Sequence, residues 1–236
     1  MKRLHQALER SLHAILRPAF DFLVARRVNP NVLTTCGFLV TVAAGLAFHS
    51  HHVRTAGTLV LLGGVFDVFD GQVARRSGRV TKFGSFYDST LDRISEVVVY
   101  LGILSLYNDY RLELGHVGMI YAVMLAMAGS LMISYTRARA EALGIDCKVG
   151  LMQRAERIVL IGTSSLFFGE SGQGLALKIV IVALAVLTNV TAIQRMIWVW
   201  LNVREPAPLP PNATPRRRAV REATERILAS MKENAK

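Results

Sequence analysis

Residues 67–92 read Asp67-Val68-Phe69-Asp70-Gly71-Gln72-Val73-Ala74-Arg75, then eight residues, then Gly84-Ser85-Phe86-Tyr87-Asp88-Ser89-Thr90-Leu91-Asp92. Four carboxylates lie here in and beside stretches apolar enough to span a bilayer. On a helix, residues three or four apart share a face. Asp67 and Asp70 therefore sit together, and Gly71, Ala74 and Arg75 continue their face. On the following helix Gly84, Asp88 and Asp92 recur at a spacing of four. Two antiparallel helices with a short connection would bring all four acids near one membrane surface. A carboxylate in a membrane span is costly, so it faces a bundle interior or an aqueous cavity and marks function.

Outward from this stretch the chain reads as an all-α membrane protein. Of its 236 residues 52% are apolar and only 19% charged, below the quarter or so of a soluble domain. Residues 28–53, 117–136 and 179–194 carry no Asp, Glu, Lys or Arg, and long apolar runs are membrane-span candidates. A soluble enzyme, a disordered chain and a disulfide scaffold are excluded as main readings. Six transmembrane helices are expected, at about 31–50, 55–75, 83–107, 117–136, 150–169 and 174–203. Residues 1–30 precede them as an amphipathic interfacial helix, with Leu4, Leu8, Leu12, Ile15, Leu16, Phe20 and Leu23 on one face, broken at Asn29 by Pro30. The domain proper is 31–203. Residues 204–236 form a Pro-containing linker and a basic tail.

The net charge of +11 does not point to nucleic acid, because its placement follows the spans. Residues 1–27 hold six Lys/Arg, 75–82 four, 137–157 five and 204–236 eight, whereas the alternate connections hold one each, Arg54, Arg111 and Lys178. Lys/Arg-rich connections stay cytoplasmic. Both termini and the carboxylates are thus placed on the cytoplasmic side of the cell (inner) membrane. Cys36 and Cys147 suggest neither a disulfide nor a cysteine-based metal site.

Crowded carboxylates repel and, when ionised, need cations; oxygen-only ligands suit Mg²⁺, Mn²⁺ or Ca²⁺. Gly71, Ala74 and Gly84 leave a groove, and Arg75 offers a fork suited to phosphate. Together they point to phosphoryl or pyrophosphate chemistry, with metals stabilising attacking and leaving oxygens. The competing readings are four acids merely paired with arginines, and a divalent-cation transporter. A transporter predicts acids near the bilayer middle and needs neither Arg75 nor the groove.

The quoted residues match every specified position of the CDP-alcohol phosphotransferase (phosphatidyltransferase) signature, and the chain resembles that family. The resemblance implies a membrane phospholipid synthase moving the phosphatidyl group of CDP-diacylglycerol to an alcohol with release of CMP. It makes Asp67, Asp70, Asp88 and Asp92 the ligands of two Mg²⁺ ions, with Mn²⁺ an alternative, and Asp92 also the base for the acceptor hydroxyl. Gly71, Ala74, Arg75, Thr81 and Gly84 would contact CDP-diacylglycerol, as would Asn31, Val32, Leu33 and Thr34. It also implies a homodimer among membrane lipids.

For the acceptor, Arg137 and Arg154 stand at the cytoplasmic ends of spans four and five, and Arg195 follows sixteen uncharged residues in span six. Converging arginines would bind a phosphorylated alcohol. Asp92-Arg93-Ile94-Ser95-Glu96, Ile133–Glu141 and Arg154–Arg157 resemble bacterial phosphatidylinositol phosphate synthases. This implies inositol 1-phosphate as acceptor, bound by Arg137, Arg154 and Arg195. The alternative is glycerol 3-phosphate, giving phosphatidylglycerol phosphate.

Overall fold

The computed structural model describes residues 18–109, 116–169 and 174–203. Among them the regular elements are helices, with no strand. A short helical segment, 18–25, precedes six long helices. These are α1 (Pro30–His49), α2 (Val53–Arg76), α3 (Lys82–Asp109), α4 (His116–Ala142), α5 (Arg154–Phe168) and α6 (Leu175–Asn202). The described residues up to 200 belong to one compact unit; of a second, 201–236, only 201–203 are described. The larger part of the expected interfacial helix and the tail lie outside the described residues.

Local chemistry sets the helix ends. Asn29 is extended (φ −75°, ψ 125°) and its side chain accepts from the Asn31 N–H at 3.0 Å, with Pro30 opening α1. Proline suits that position because the first N–H groups of a helix lack intrahelical partners. Thr81 does the same for α3, accepting from the Gly84 N–H at 2.9 Å. Helix α2 ends at a left-handed glycine, Gly78 (φ +66°). The start of the fifth span differs from expectation. The fifth span was placed from Gly150, but α5 begins at Arg154; Gly150 has φ +132°, which a right-handed helix does not allow.

Helices α1, α2, α4 and α6 are long and apolar enough to cross a membrane. Helix α3 carries Asp88, Asp92 and Arg93 in its first half and Glu96 at its middle, and α5 has only 15 residues. Helix α1 packs on α2 and α3, α2 on α5, and α3 on α4. Gly57 lets α2 approach α5 closely: a Cβ there would stand 2.7 Å from the Gly162 carbonyl oxygen. The apolar core gathers Phe48, Ile103, Ile181 and Leu184, all fully buried. On α2 and α3 its buried members are Val53, Ala56 and Val60, and Val99, Tyr100, Ile103, Leu106 and Tyr107, all outside residues 67–92.

Candidate active site

Only residues 77–81 separate the last turn of α2 from the first turn of α3. Helical spacing then does what the sequence suggested. The four carboxylates act on one another: Asp88 repels Asp67, Asp70 and Asp92, and Asp67 repels Asp70 and Asp92. Their surroundings differ. Asp70 is 4% exposed and its Oδ2 is buried without a hydrogen-bond partner. Asp67 and Asp92 share a cation instead, since Arg154 Nη1 stands 2.5 Å from Asp67 Oδ2 and 2.9 Å from Asp92 Oδ1. Arg154 reaches them from the first residue of α5, which packs against α2. Among the described residues no three Asp, Glu, His or Cys side chains are drawn together as a metal-holding group. Arg154 supplies positive charge between Asp67 and Asp92.

Beside the acids opens a cavity of about 290 Å³. Asp70 and Asp88 form part of its wall. So do seven of the nine residues expected at the CDP-lipid: Asn31, Thr34, Gly71, Ala74, Arg75, Thr81 and Gly84. Gly84 keeps it open, since a Cβ there would meet Thr81 Oγ1 at 2.9 Å and Asn31 Oδ1 at 3.2 Å. The wall on α1 is braced by a 2.9 Å hydrogen bond between Thr35 and Tyr87 of α3. Val32 and Leu33 do not line the cavity. Asn31 and Thr34, three apart, share the inner face of α1, which turns Val32 outward (53% exposed) and Leu33 into helix packing. Arg79 lines the cavity too, although the sequence reading assigned it no role; its offset of four from Arg75 was the available signal.

A second, smaller cavity of about 30 Å³ lies on the other side of Asp67 and Arg154, bordered by Ser95, Glu96, Tyr100 and Arg157. It has room for about one water molecule. Arg157 is fully buried and grips Glu96 with two hydrogen bonds, Nε–Oε1 2.6 Å and Nη2–Oε2 3.0 Å. This pair fastens α5 to α3 and so fixes where Arg154 emerges.

The three arginines expected at an acceptor phosphate are not gathered as a set. Arg137 pairs with Glu141 one turn on, at 2.8 Å, on an exposed surface. Arg195 is buried as expected, but its Nε donates to the Val149 carbonyl (2.8 Å) and its Nη1 to that of Ile133 (2.6 Å). It borders a separate groove with Arg139 and Trp200. Arg137, Arg157 and Arg195 do lie near enough to repel one another at Arg195. Of the expected three, Arg154 alone touches the carboxylates.

Known proteins resemble this chain in sequence and in fold. Residues 27–198 match the model of the CDP-alcohol phosphatidyltransferase family. The chain is 38% identical to the archaetidylinositol phosphate synthase of Methanothermobacter thermautotrophicus, over 86% of this chain and all of that protein. It is 35% identical to the phosphatidylinositol phosphate synthase of Streptomyces avermitilis, over 78% of each. Among solved structures it is similar to the Mycobacterium tuberculosis phosphatidylinositol phosphate synthase with CDP-DAG bound. The TM-score is 0.71 at 29% identity, covering 82% of this chain and 99% of that one. The same enzyme in complex with manganese and citrate gives 0.70, over 83% and 95%.

Proposed function

Because the chain belongs to the CDP-alcohol phosphatidyltransferase family, we propose that it transfers the phosphatidyl group of CDP-diacylglycerol to inositol 1-phosphate, releasing CMP. The observation that carries this is a 290 Å³ cavity walled by Asp70, Asp88, small residues and Arg75, with Asp67 and Asp92 close enough to act on those acids. A divalent-cation transporter would not need that cavity or its arginine. Relatives named for archaetidyl and for phosphatidyl products share inositol phosphate in their names, which supports the acceptor more firmly than the lipid tails.

The residues fit a divalent ion: every donor is a carboxylate oxygen, and Asp70 Oδ2 is buried with no other partner. Asp67, Asp70, Asp88 and Asp92 would hold two Mg²⁺ ions, or Mn²⁺ as in the mycobacterial structure. Bound ions would neutralise the diphosphate and stabilise the departing CMP. Arg75 presents its guanidinium to the diphosphate, while Gly71 and Gly84 let the nucleotide approach the backbone. Asp92 takes the proton of the acceptor hydroxyl. The acceptor oxygen bonds to the lipid-bearing phosphorus as the bond from that phosphorus to the CMP oxygen breaks. Arg154 lies next to Asp92 (2.9 Å), where it can draw the acceptor's own phosphate toward the base; Arg137 and Arg195 would serve that phosphate from further out.

The six helices are read as six spans, with the 77–81 turn and both termini cytoplasmic. The charged start of α3 would lie at the membrane surface. Helix α5, about 22 Å long, would be completed by the extended residues before it. A homodimer is part of the same reading. The test is CMP release from CDP-diacylglycerol by purified protein with Mg²⁺ and inositol 1-phosphate, glycerol 3-phosphate, inositol or serine. Release with inositol 1-phosphate alone is expected. Release with glycerol 3-phosphate instead would move the protein to the other acceptor, and none with any acceptor would refute the reading.

A further inference from the structure

Arg79 belongs to no family position quoted above, yet it stands in the cavity wall with Arg75. The turn that brings it there is built for the purpose. Gly78 takes φ +66°, its N–H donates to the Arg75 carbonyl, and the Arg79 N–H donates at 3.0 Å to the Ala74 carbonyl. These two bonds close the helix end in the Schellman manner, which needs a left-handed residue and favours glycine. The chain folds back over the last turn of α2 and Arg79 lands beside Arg75 instead of continuing away from the cavity.

The residues before α1 hold it there. Arg79 Nη1 donates to the Arg27 carbonyl at 3.0 Å, and Arg27 itself is left-handed (φ 53°). The segment carrying Arg27 is anchored to α2 in turn. Phe20 is fully buried against Phe69 (ring centroids 4.8 Å apart), Arg76 lies over the Phe20 ring at 4.9 Å, and Arg76 pairs with Asp21 at 2.8 Å. A guanidinium has five N–H donors, so the bond to Arg27 leaves Arg79 able to serve a ligand.

We infer that Arg79 is a further binding residue for the nucleotide diphosphate of the lipid donor, aimed into the cavity by the Gly78 turn and the Arg27 carbonyl. The inference rests on the CDP-lipid reading of this cavity. A diphosphate offers more anionic oxygens than one guanidinium can satisfy, and two arginines on one wall let each bind a different set of oxygens.

The test is CDP binding to the purified full-length chain in Mg²⁺, by calorimetry, beside steady-state kinetics. Arg79→Gln should weaken CDP about fivefold and raise the KM for CDP-diacylglycerol to the same extent, with kcat and the acceptor KM unchanged. Arg79→Lys should recover part of the loss. Gly78→Ala, which resists the left-handed turn, should repeat the effect, and the double variant should be no worse than Arg79→Gln. If wild type binds CDP and Arg79→Gln binds it equally well, this inference fails while the site reading stands. Losses shared with kcat and the acceptor KM would also overturn it. If the wild type does not bind CDP, the reading of the cavity fails and the inference with it.

Discussion

Asp92 touches Arg154 at 2.9 Å and Arg93 at 3.9 Å, so its carboxylate is held at the centre of the cluster by two cations. A base in that place should be indispensable. Asp92→Asn keeps the shape and removes the proton acceptor, and CMP release should fall by at least about 10²-fold with the circular dichroism spectrum unchanged. Turnover at the normal rate would remove Asp92 as the base. Gly84 tests the cavity from another side. A Cβ would press on Thr81 and Asn31, so Gly84→Ala should raise the KM for CDP-diacylglycerol by several-fold or more. An unchanged KM would show that the nucleotide does not approach α3 there. The carboxylate and glycine spacing was legible in the sequence because one helix face suffices to read it. The Arg154 bridge was not, since it depends on α5 packing against α2, a contact 87 residues apart along the chain. Val32 and Leu33 were grouped with Asn31 and Thr34 as a run, whereas a helix shows only two of those four to one side.

Among the elements, α5 is the one whose placement matters most to the site. It is short, and its hold on α3 comes from the Arg157–Glu96 pair, with side chains 2% and 10% exposed. Breaking such a buried pair leaves one charge stranded, which costs about 3–5 kcal/mol. Glu96→Gln should therefore lower the Tm in detergent by several degrees and weaken acceptor binding through Arg154. Arg137→Ala removes an exposed pair worth under about 1 kcal/mol, and its Tm should stay within a degree of wild type. Equal Tm changes in the two variants would mean that the pair does not fasten α5. The helix start at Asn29-Pro30 was readable from the proline. The start of α5 was not, because hydropathy alone does not register that Gly150 is left-handed.

At the scale of the molecule, the distribution of Lys and Arg was the strongest guide, and it needs no tertiary contact to be read. On the orientation proposed from it, the 77–81 turn and the 50–52 turn lie on opposite sides of the membrane. In a variant without Cys36 and Cys147, Cys introduced at Ser77 should be labelled by an impermeant maleimide only from the cytoplasmic side, and Cys introduced at Ser50 only from the other. Labelling of both from one side would overturn the orientation. Helices α3 and α5, which are not among the four long apolar helices, are those bearing Asp88, Asp92, Glu96, Arg154 and Arg157. Their polarity is what assembling the site within an otherwise apolar bundle requires.

Everything catalytic in this account depends on the acids of α2 and α3 serving together as ligands of divalent ions. Mn²⁺ binding to the purified chain, followed by electron paramagnetic resonance, measures that directly. Saturable binding of about two ions per chain is expected, lost or sharply weakened in Asp70→Asn and Asp88→Asn variants that keep their helical spectrum. Mn²⁺ uptake that is absent in the wild type, or unaffected by either substitution, would contradict it.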